Sequence, residues 1–225
     1  MPHSNNPPIA GVVLAGGLSR RMGGGDKCLL PLGDTTILGH VLARLRGQVD
    51  KAVLNANGDP ARFATYGLPV AGDIVDGYAG PLAGVLTGLD WTAKNLPEAR
   101  WMASFAADTP FLPVDLVARM LAAVEEGTVD MACAASQGRS HPVFGLWPVR
   151  LLDDLRDAVV VRGIRKVDAW TAGYRVATVD FAVEEGLDPF FNANTPEEMA
   201  TAQALLERSL LVNAKNQTNM YPENA

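Results

Sequence analysis

The stretch LAGGLSRRMGGGDK, from Leu14 to Lys27, gathers groups suited to holding anionic oxygens. Ala15, Gly16 and Gly17 carry little or no side chain, so their backbone amides lie open to an approaching anion. Arg20, Arg21 and Lys27 place three cations on one loop of a chain whose formal net charge is -6. Gly23, Gly24 and Gly25 give that loop the freedom to close over a substrate. Two glycines alone would read as a tight turn. Glycines, arginines and a lysine together, directly after an apolar run, point to phosphate. The loop lacks the Gly-Lys-Ser/Thr ending of a Walker A loop and does not fit G-x-G-x-x-G, which argues against a dinucleotide dehydrogenase.

Asp108 comes two residues after the apolar run WMASFA (Trp101 to Ala106) and precedes Thr109-Pro110, so its carboxylate should emerge where a strand stops. Magnesium is commonly held by one or two carboxylates plus substrate phosphates, so one aspartate suffices. Asn55, Asn57 and Asp73 sit in turn-like stretches; the two asparagines read as turn formers, and Asp73 reads nearly as well as a turn residue as it does as a ligand. Asn192 and Asn194 lead into Thr195-Pro196-Glu197-Glu198, which has the capping-box form with Thr195 as the cap. His141 stands before Pro142 at the start of an apolar run and reads first as a surface position. His3 and His40 carry no signal, so a metal site built from histidines is not expected. No Ser-His-Asp or Cys-His arrangement stands near these motifs.

Positioning these groups requires strands that end beside them. Ile9 to Leu14 is short, apolar and β-branched, and stops at Gly16-Gly17: a buried strand. Ile37, Val41, Leu42 and Leu45 have helical spacing, with Thr35 or Thr36 as cap. Ala52 to Leu54 is a second strand. Leu82, Leu86, Leu89 and Trp91 return to helical spacing behind Pro81, a residue suited to a first turn. After the strand Trp101 to Ala106 come a helical face at Leu116, Met120, Leu121 and Val124, then strands at Met131 to Ala134 and Val143 to Leu146. Leu151 to Val159 and Ile164 to Trp170 read as short helices, Arg175 to Phe181 as a strand, and the capped helix runs through Met199, Ala202, Leu205 and Leu206. The alternation predicts a single-domain α/β fold, Rossmann-like, with a mostly parallel sheet flanked by helices. Residues 9–211 form the domain; 1–8 and 212–225 are expected to be loose tails. In such sheets ligands bind outside the carboxyl ends of the strands, where Leu14 to Lys27, Asn55 to Asp59, Asp73 to Gly84 and Asp108 all fall.

Composition narrows the classes. The chain has 225 residues, is 48% hydrophobic and 20% charged, and has a pI near 5.0, enough for one full core and too acidic for a general nucleic-acid binder. Two cysteines make no disulfide framework or zinc spacing and read as reduced thiols. No apolar run reaches membrane-spanning length and MPHSNNPP lacks signal-peptide character, so a cytoplasmic protein is expected.

The loop LAGGLSRRMGGGDK resembles the signature loop of nucleotidyltransferases of the sugar-nucleotide pyrophosphorylase type, and the chain is most similar to the molybdenum cofactor guanylyltransferase family from about Ile9 to Leu206. That resemblance implies the nucleotide-diphospho-sugar transferase type of fold and transfer of GMP from GTP to the terminal phosphate of molybdopterin, with release of pyrophosphate. It implies that Leu14, Ala15 and Gly16 meet the guanine and ribose, Gly17 helps form the phosphate loop, and Arg21 and Lys27 hold the triphosphate. Asn55 and Asp73 resemble the family's nucleotide contacts, Gly80-Pro81-Leu82-Ala83-Gly84 its GPLAG turn, and Asp108 its Mg2+ ligand. Asn192 and Asn194 match the late segment that returns toward the site. They join His141, with Arg139, Ser140 and Pro142, as candidates for the acceptor pterin. Ala107 replaces the cysteine often found before the metal aspartate, a position that offers no ligand. A monomer is expected, with molybdoenzyme chaperones or other cofactor-biosynthesis proteins left open as partners. CTP in place of GTP, a sugar-1-phosphate acceptor, or a nucleotide-binding module without catalysis remain the alternatives.

Overall fold

The computed structural model describes residues 7–16, 26–75, 77, 80–184 and 186–220, the last twelve of these as backbone alone. The elements run β1 (Ile9–Leu14), β2 (Pro31–Leu32), β3 (Thr35–Thr36), α1 (Ile37–Leu45), β4 (Lys51–Asn55), a 3-10 segment Pro60–Tyr66 and β5 (Val70–Ala71). They continue with α2 (Pro81–Asn95), β6 (Trp101–Ala106), α3 (Leu116–Glu125), β7 (Met131–Ser136), β8 (Arg139–Pro148), α4 (Leu152–Val160), α5 (Val167–Thr171), β9 (Val176–Asp180) and α6 (Pro196–Met220). Among the described residues one seven-stranded sheet has the order β5-β4-β1-β6-β8-β7-β9, and β2-β3 is a separate hairpin. Of the seven, β8 alone runs antiparallel to its neighbours, so the expected mostly parallel sheet is what forms.

Strand alternation builds two cores. Val13, Leu54 and Phe105 face one side with Leu38 and Val41 of α1 and Leu116 and Met120 of α3. Val12, Val53 and Met102 face the other with Leu82, Leu86 and Leu89 of α2 and Leu155 of α4. All six of these strand residues are 0–1% exposed, as strands covered on both faces must be. Helices α1 and α2 thus leave β1 and β5 for opposite faces. The chain crosses to β4 on one side of β1 and to β6 on the other, and the order reverses between β1 and β6. A crevice for a ligand opens at such a reversal.

Local chemistry sets the ends. Thr36 caps α1, its Oγ1 accepting from the Gly39 N–H at 3.0 Å. Gln137 and Gly138 turn β7 into β8 with φ of 49° and 73°, the left-handed pair that a two-residue hairpin needs. The β7–β8 register shifts between Cys133 and Ala134, opposite the stretch holding Pro142, which has no N–H to give the ladder. The capping box closes as expected: Thr195 Oγ1 accepts from Glu198 N–H at 3.2 Å and Glu198 Oε2 accepts from Thr195 N–H at 3.0 Å. The segment 212–220, expected to be part of a loose tail, is helical as the continuation of α6 to Met220. Lack of apolar periodicity does not stop a helix. Once nucleated it extends through residues such as Ala214, Lys215 and Gln217 at little cost each. Among the described residues no helix is long and apolar enough to cross a membrane.

Candidate functional site

Leu14, Ala15, Gly16, Lys27, Cys28, Ala107 and Asp108 line a small open crevice, at the point where the strand order reverses between β1 and β6. Its walls are fixed by the sheet itself. Ala107 N–H donates to Leu14 O at 3.1 Å and Ala15 N–H to Asn55 O at 2.9 Å, so three strand ends are laced together one residue past their last ladder rung. Among the described residues nothing lies within 4 Å of where a Cβ on Gly16 would stand, which leaves its backbone bare on that side. Gly17 and Arg21 lie outside the described residues.

Lys27 begins a single 3-10 turn, and its Nζ donates to Asn194 Oδ1 at 2.8 Å across 167 residues of sequence. The segment carrying Asn194 is pinned from several sides. Ala193 N–H donates to Asp108 O at 3.3 Å, Thr109 Oγ1 donates to Asn192 Oδ1 at 2.5 Å, and Asn194 N–H donates to Glu198 Oε2 at 2.6 Å. The capping box therefore does more than start α6: its glutamate also holds Asn194 against the lysine. Burial pushes the Asp108 carboxyl above the ordinary range, with Glu198 adding to it, against the opposing pull of Lys27 and a backbone hydrogen bond. Cys28, behind Lys27, is buried, and desolvation together with Asp26 and Asp108 pushes its thiol up to about 12. It is a neutral packing group.

On the other side of Leu14, Asn55 ends β4 and is 4% exposed. Its Nδ2 donates to Asp73 Oδ1 at 3.0 Å and to Ala71 O at 3.2 Å. Asn57 grips the same aspartate at two points, Nδ2 to Oδ2 and Oδ1 from the Asp73 N–H, both at 2.8 Å. The two asparagines do more than form a turn: together they fix the Asp73 carboxylate. Gly80, with φ of 145°, caps α2 ahead of Pro81, and Gly84 packs against Asn55 and Leu14 so closely that a Cβ would come within 2.5 Å of Asn55 Oδ1.

His141 sits at the same carboxyl edge of the sheet because β8 starts where β7 ends. Its Nε2 lies 2.7 Å from Ser136 Oγ, which donates its one hydrogen to Asp188 Oδ1 at 2.9 Å. Ser136 is fully buried and bridges the other two, so the group is no hydrolytic triad. The imidazole stacks on Phe190 at 4.5 Å, and burial pulls its pKa down. His141 is thus a half-buried prop for the segment that leads to Asn192 and Asn194. Lys27, Asp108 and Asn194 come together, as do Asn55, Asp73 and Gly80 with Gly84. Arg139 and Ser140 stay exposed on the hairpin. Sequence reasoning passed over Arg62, whose guanidinium contacts Asp26, Asn57 and Asp59, and nothing in its periodicity singles it out.

Among the described residues no three His, Cys, Asp or Glu side chains gather as a metal cage. A single desolvated carboxylate with incomplete compensation nonetheless suits a hard divalent cation that takes its other oxygens from phosphate. The family model of the MobA-like NTP transferase domain matches residues 11–176. A molybdenum cofactor guanylyltransferase of Bradyrhizobium sp. (strain ORS 278) is 57% identical over 205 residues, covering 91% of this chain and 96% of that protein. One of Rhizobium meliloti (strain 1021) is 42% identical over 208 residues, covering 91% and 94%. The structure of molybdopterin-guanine dinucleotide biosynthesis protein A from Archaeoglobus fulgidus superposes with a TM-score of 0.70 at 20% identity, over 88% of this chain and 99% of that one. A Mycobacterium tuberculosis protein solved with manganese superposes with a TM-score of 0.59 at 20% identity, over 88% and 98%.

Proposed function

The chain belongs to the MobA-like NTP transferase family, among the molybdenum cofactor guanylyltransferases, and from that premise we propose that it transfers GMP from GTP to the terminal phosphate of molybdopterin, forming the guanine dinucleotide cofactor. The observation that carries the reading is the crevice between β1 and β6, where Lys27 and Asp108 face one space bordered by bare backbone at Gly16. The nucleoside lies toward Leu14, Ala15, Asn55, Asp73 and the GPLAG turn, and the triphosphate toward Lys27. Asn194 Oδ1 accepts a hydrogen bond from one N–H of the lysine ammonium, and two N–H groups remain for phosphate oxygens. Gly17 and Arg21 join the phosphate side in this reading. Asp108 would hold Mg2+, and the ion would supply charge neutralisation for the triphosphate.

The acceptor needs no protein nucleophile. An ionised phosphate oxygen attacks the α-phosphorus, the bond from that phosphorus to the α,β-bridging oxygen breaks, and pyrophosphate leaves with the electron pair. Such transfers rest on positioning and on charge stabilisation. Lys27 stabilises the negative charge developing on the leaving group, while Asn192, Asn194 and His141 border the acceptor side. The same reading places the reaction in the cytoplasm. The test is pyrophosphate release by the purified protein with GTP or CTP, molybdopterin, and Mg2+, Mn2+ or chelator. GTP-dependent release that disappears in Asp108→Ala, while that variant still binds GTP, is the expected result. Equal turnover with CTP, or full activity of the variant at saturating metal, would overturn it.

A further inference from the structure

Arg62 lies on the 3-10 segment that follows β4, and each edge of its guanidinium reaches a different part of the site. Its Nη2 donates to Asn57 O at 2.5 Å and its Nη1 to Asp59 O at 2.6 Å. Its Nε lies 2.5 Å from Oδ2 of Asp26, the residue before Lys27, a charge contact outside hydrogen-bond alignment. The fork thus spans from the turn that grips Asp73 to the start of the turn that carries Lys27. The surroundings are shaped for it. Gly58 has φ of +85°, and a Cβ there would stand 3.1 Å from Nη1. The guanidinium also lies 4.7 Å from the ring centroid of the buried Phe63, which fixes the height of the fork. The side chain is 28% exposed and Asp26 21%, so the pair is shielded from much of the solvent. The charge is felt on the crevice floor as well, where Arg62 opposes the upward push on the Cys28 thiol.

Resting on the guanylyltransferase reading, we infer that Arg62 is a positioning residue that locks the nucleoside-side turn Asn55–Asp59 and the phosphate-side residues Asp26–Lys27 into one register. It touches neither substrate. Through Asn57 it sets the carboxylate of Asp73, and through Asp26 it sets the base of Lys27, so GTP meets both halves at their correct separation. A lysine cannot replace it: one ammonium can pair with Asp26 but cannot also present a planar fork to two carbonyls.

The experiment is GTP titration by calorimetry and steady-state kinetics on the wild-type protein, Arg62→Met, Arg62→Lys, Asp26→Asn and Asn57→Ala, with melting temperatures for each. Arg62→Met should weaken GTP binding about tenfold and raise KM more than it lowers kcat, in protein that still melts cooperatively. Arg62→Lys, which keeps the stem and the charge, should recover the melting temperature but not the GTP affinity. Asp26→Asn should weaken GTP binding in the wild-type background and add nothing in the Arg62→Met background, because the coupling runs through the missing fork. Asn57→Ala keeps the backbone carbonyl that Arg62 uses and removes the direct grip on Asp73, so it should weaken binding in both backgrounds. An additive loss from Asp26→Asn in both backgrounds, or a lowered melting temperature with wild-type GTP affinity in Arg62→Met, would overturn the inference. If the wild-type protein itself binds no GTP, the functional reading falls and takes this one with it. If it binds GTP and Arg62→Met matches it, Arg62 alone loses its role.

Discussion

Lys27 donates to the Asn194 amide oxygen, and the proposed reaction gives its ammonium a second partner, the phosphates of GTP. Its side chain is half-buried at the crevice edge and belongs to none of the apolar clusters. Lys27→Ala should therefore lower turnover by roughly 10²–10³-fold, the usual loss when one charge-stabilising contact is removed. The melting temperature should stay near that of the wild type, since one part-exposed hydrogen bond is at stake. Pyrophosphate release and calorimetry on the same sample check both halves, and wild-type turnover would remove Lys27 from the site. This residue and Asp108 were legible because charge after an apolar run is a local signal. Arg62 and the bidentate grip of Asn57 were not. Their meaning depends on which backbone comes within 3 Å after folding, and no spacing in the sequence encodes that contact.

Helix α2 presses its first two turns against β1 and β4, and two glycines measure how closely. A Cβ on Gly84 would fall 2.5 Å from Asn55 Oδ1 and 2.7 Å from Leu14 Cδ2. One turn deeper, a Cβ on Gly88 would fall 2.7 Å from Val12 and from the Met102 sulfur. Alanine is ordinarily the better helix former, by about 1 kcal/mol, but here the collision should dominate and each substitution should cost about 1–3 kcal/mol. Function separates them. Gly84→Ala must move Asn55 or Leu14 and should raise KM for GTP roughly tenfold or more, since a misplacement near 1 Å can cost about 10²-fold. Gly88→Ala moves core atoms away from the crevice and should leave KM unchanged. Urea unfolding and GTP kinetics on the pair would expose the reverse pattern. The elements themselves were largely readable: β1 and β6 have the bounds that their apolar runs announce. The two-residue strands β2, β3 and β5 are too short to show a period, and β8 hides its first third behind Pro142. Helix α6 outlasts its apolar face.

Across the described residues, some buried or hydrogen-bonded carboxylates support the fold, and Asp108 strains it. Burial pushes the Asp90 carboxyl up, but hydrogen bonds and charge from Lys94 and Arg156 hold it below its usual range. Hydrogen bonds from Tyr174 and Trp170 hold Asp154 down in the same way. A lowered pKa means that the folded state favours the ionised form, so these groups stabilise the fold above the ordinary carboxylate range. That contribution is lost as pH falls from that range through their folded pKa values. Asp108 has the opposite sign. Its raised pKa means that the folded state favours the protonated form, so its ionised carboxylate costs stability at neutral pH, and that cost disappears as pH falls through the raised value. Asp108→Asn should therefore melt at or above the wild-type temperature at pH 7 while losing metal-dependent transfer, an instance of stability sacrificed at a working site. The advantage of the variant should shrink as pH is lowered, while Asp90→Asn should melt below the wild type at pH 7 and approach it only in more acid solution. Melting curves of the three proteins from pH 3 to pH 8 decide this without any nucleotide present. An Asp108→Asn variant that melts well below the wild type at pH 7 would mean that the carboxylate is a structural anchor and that the crevice does not hold it ready for a cation.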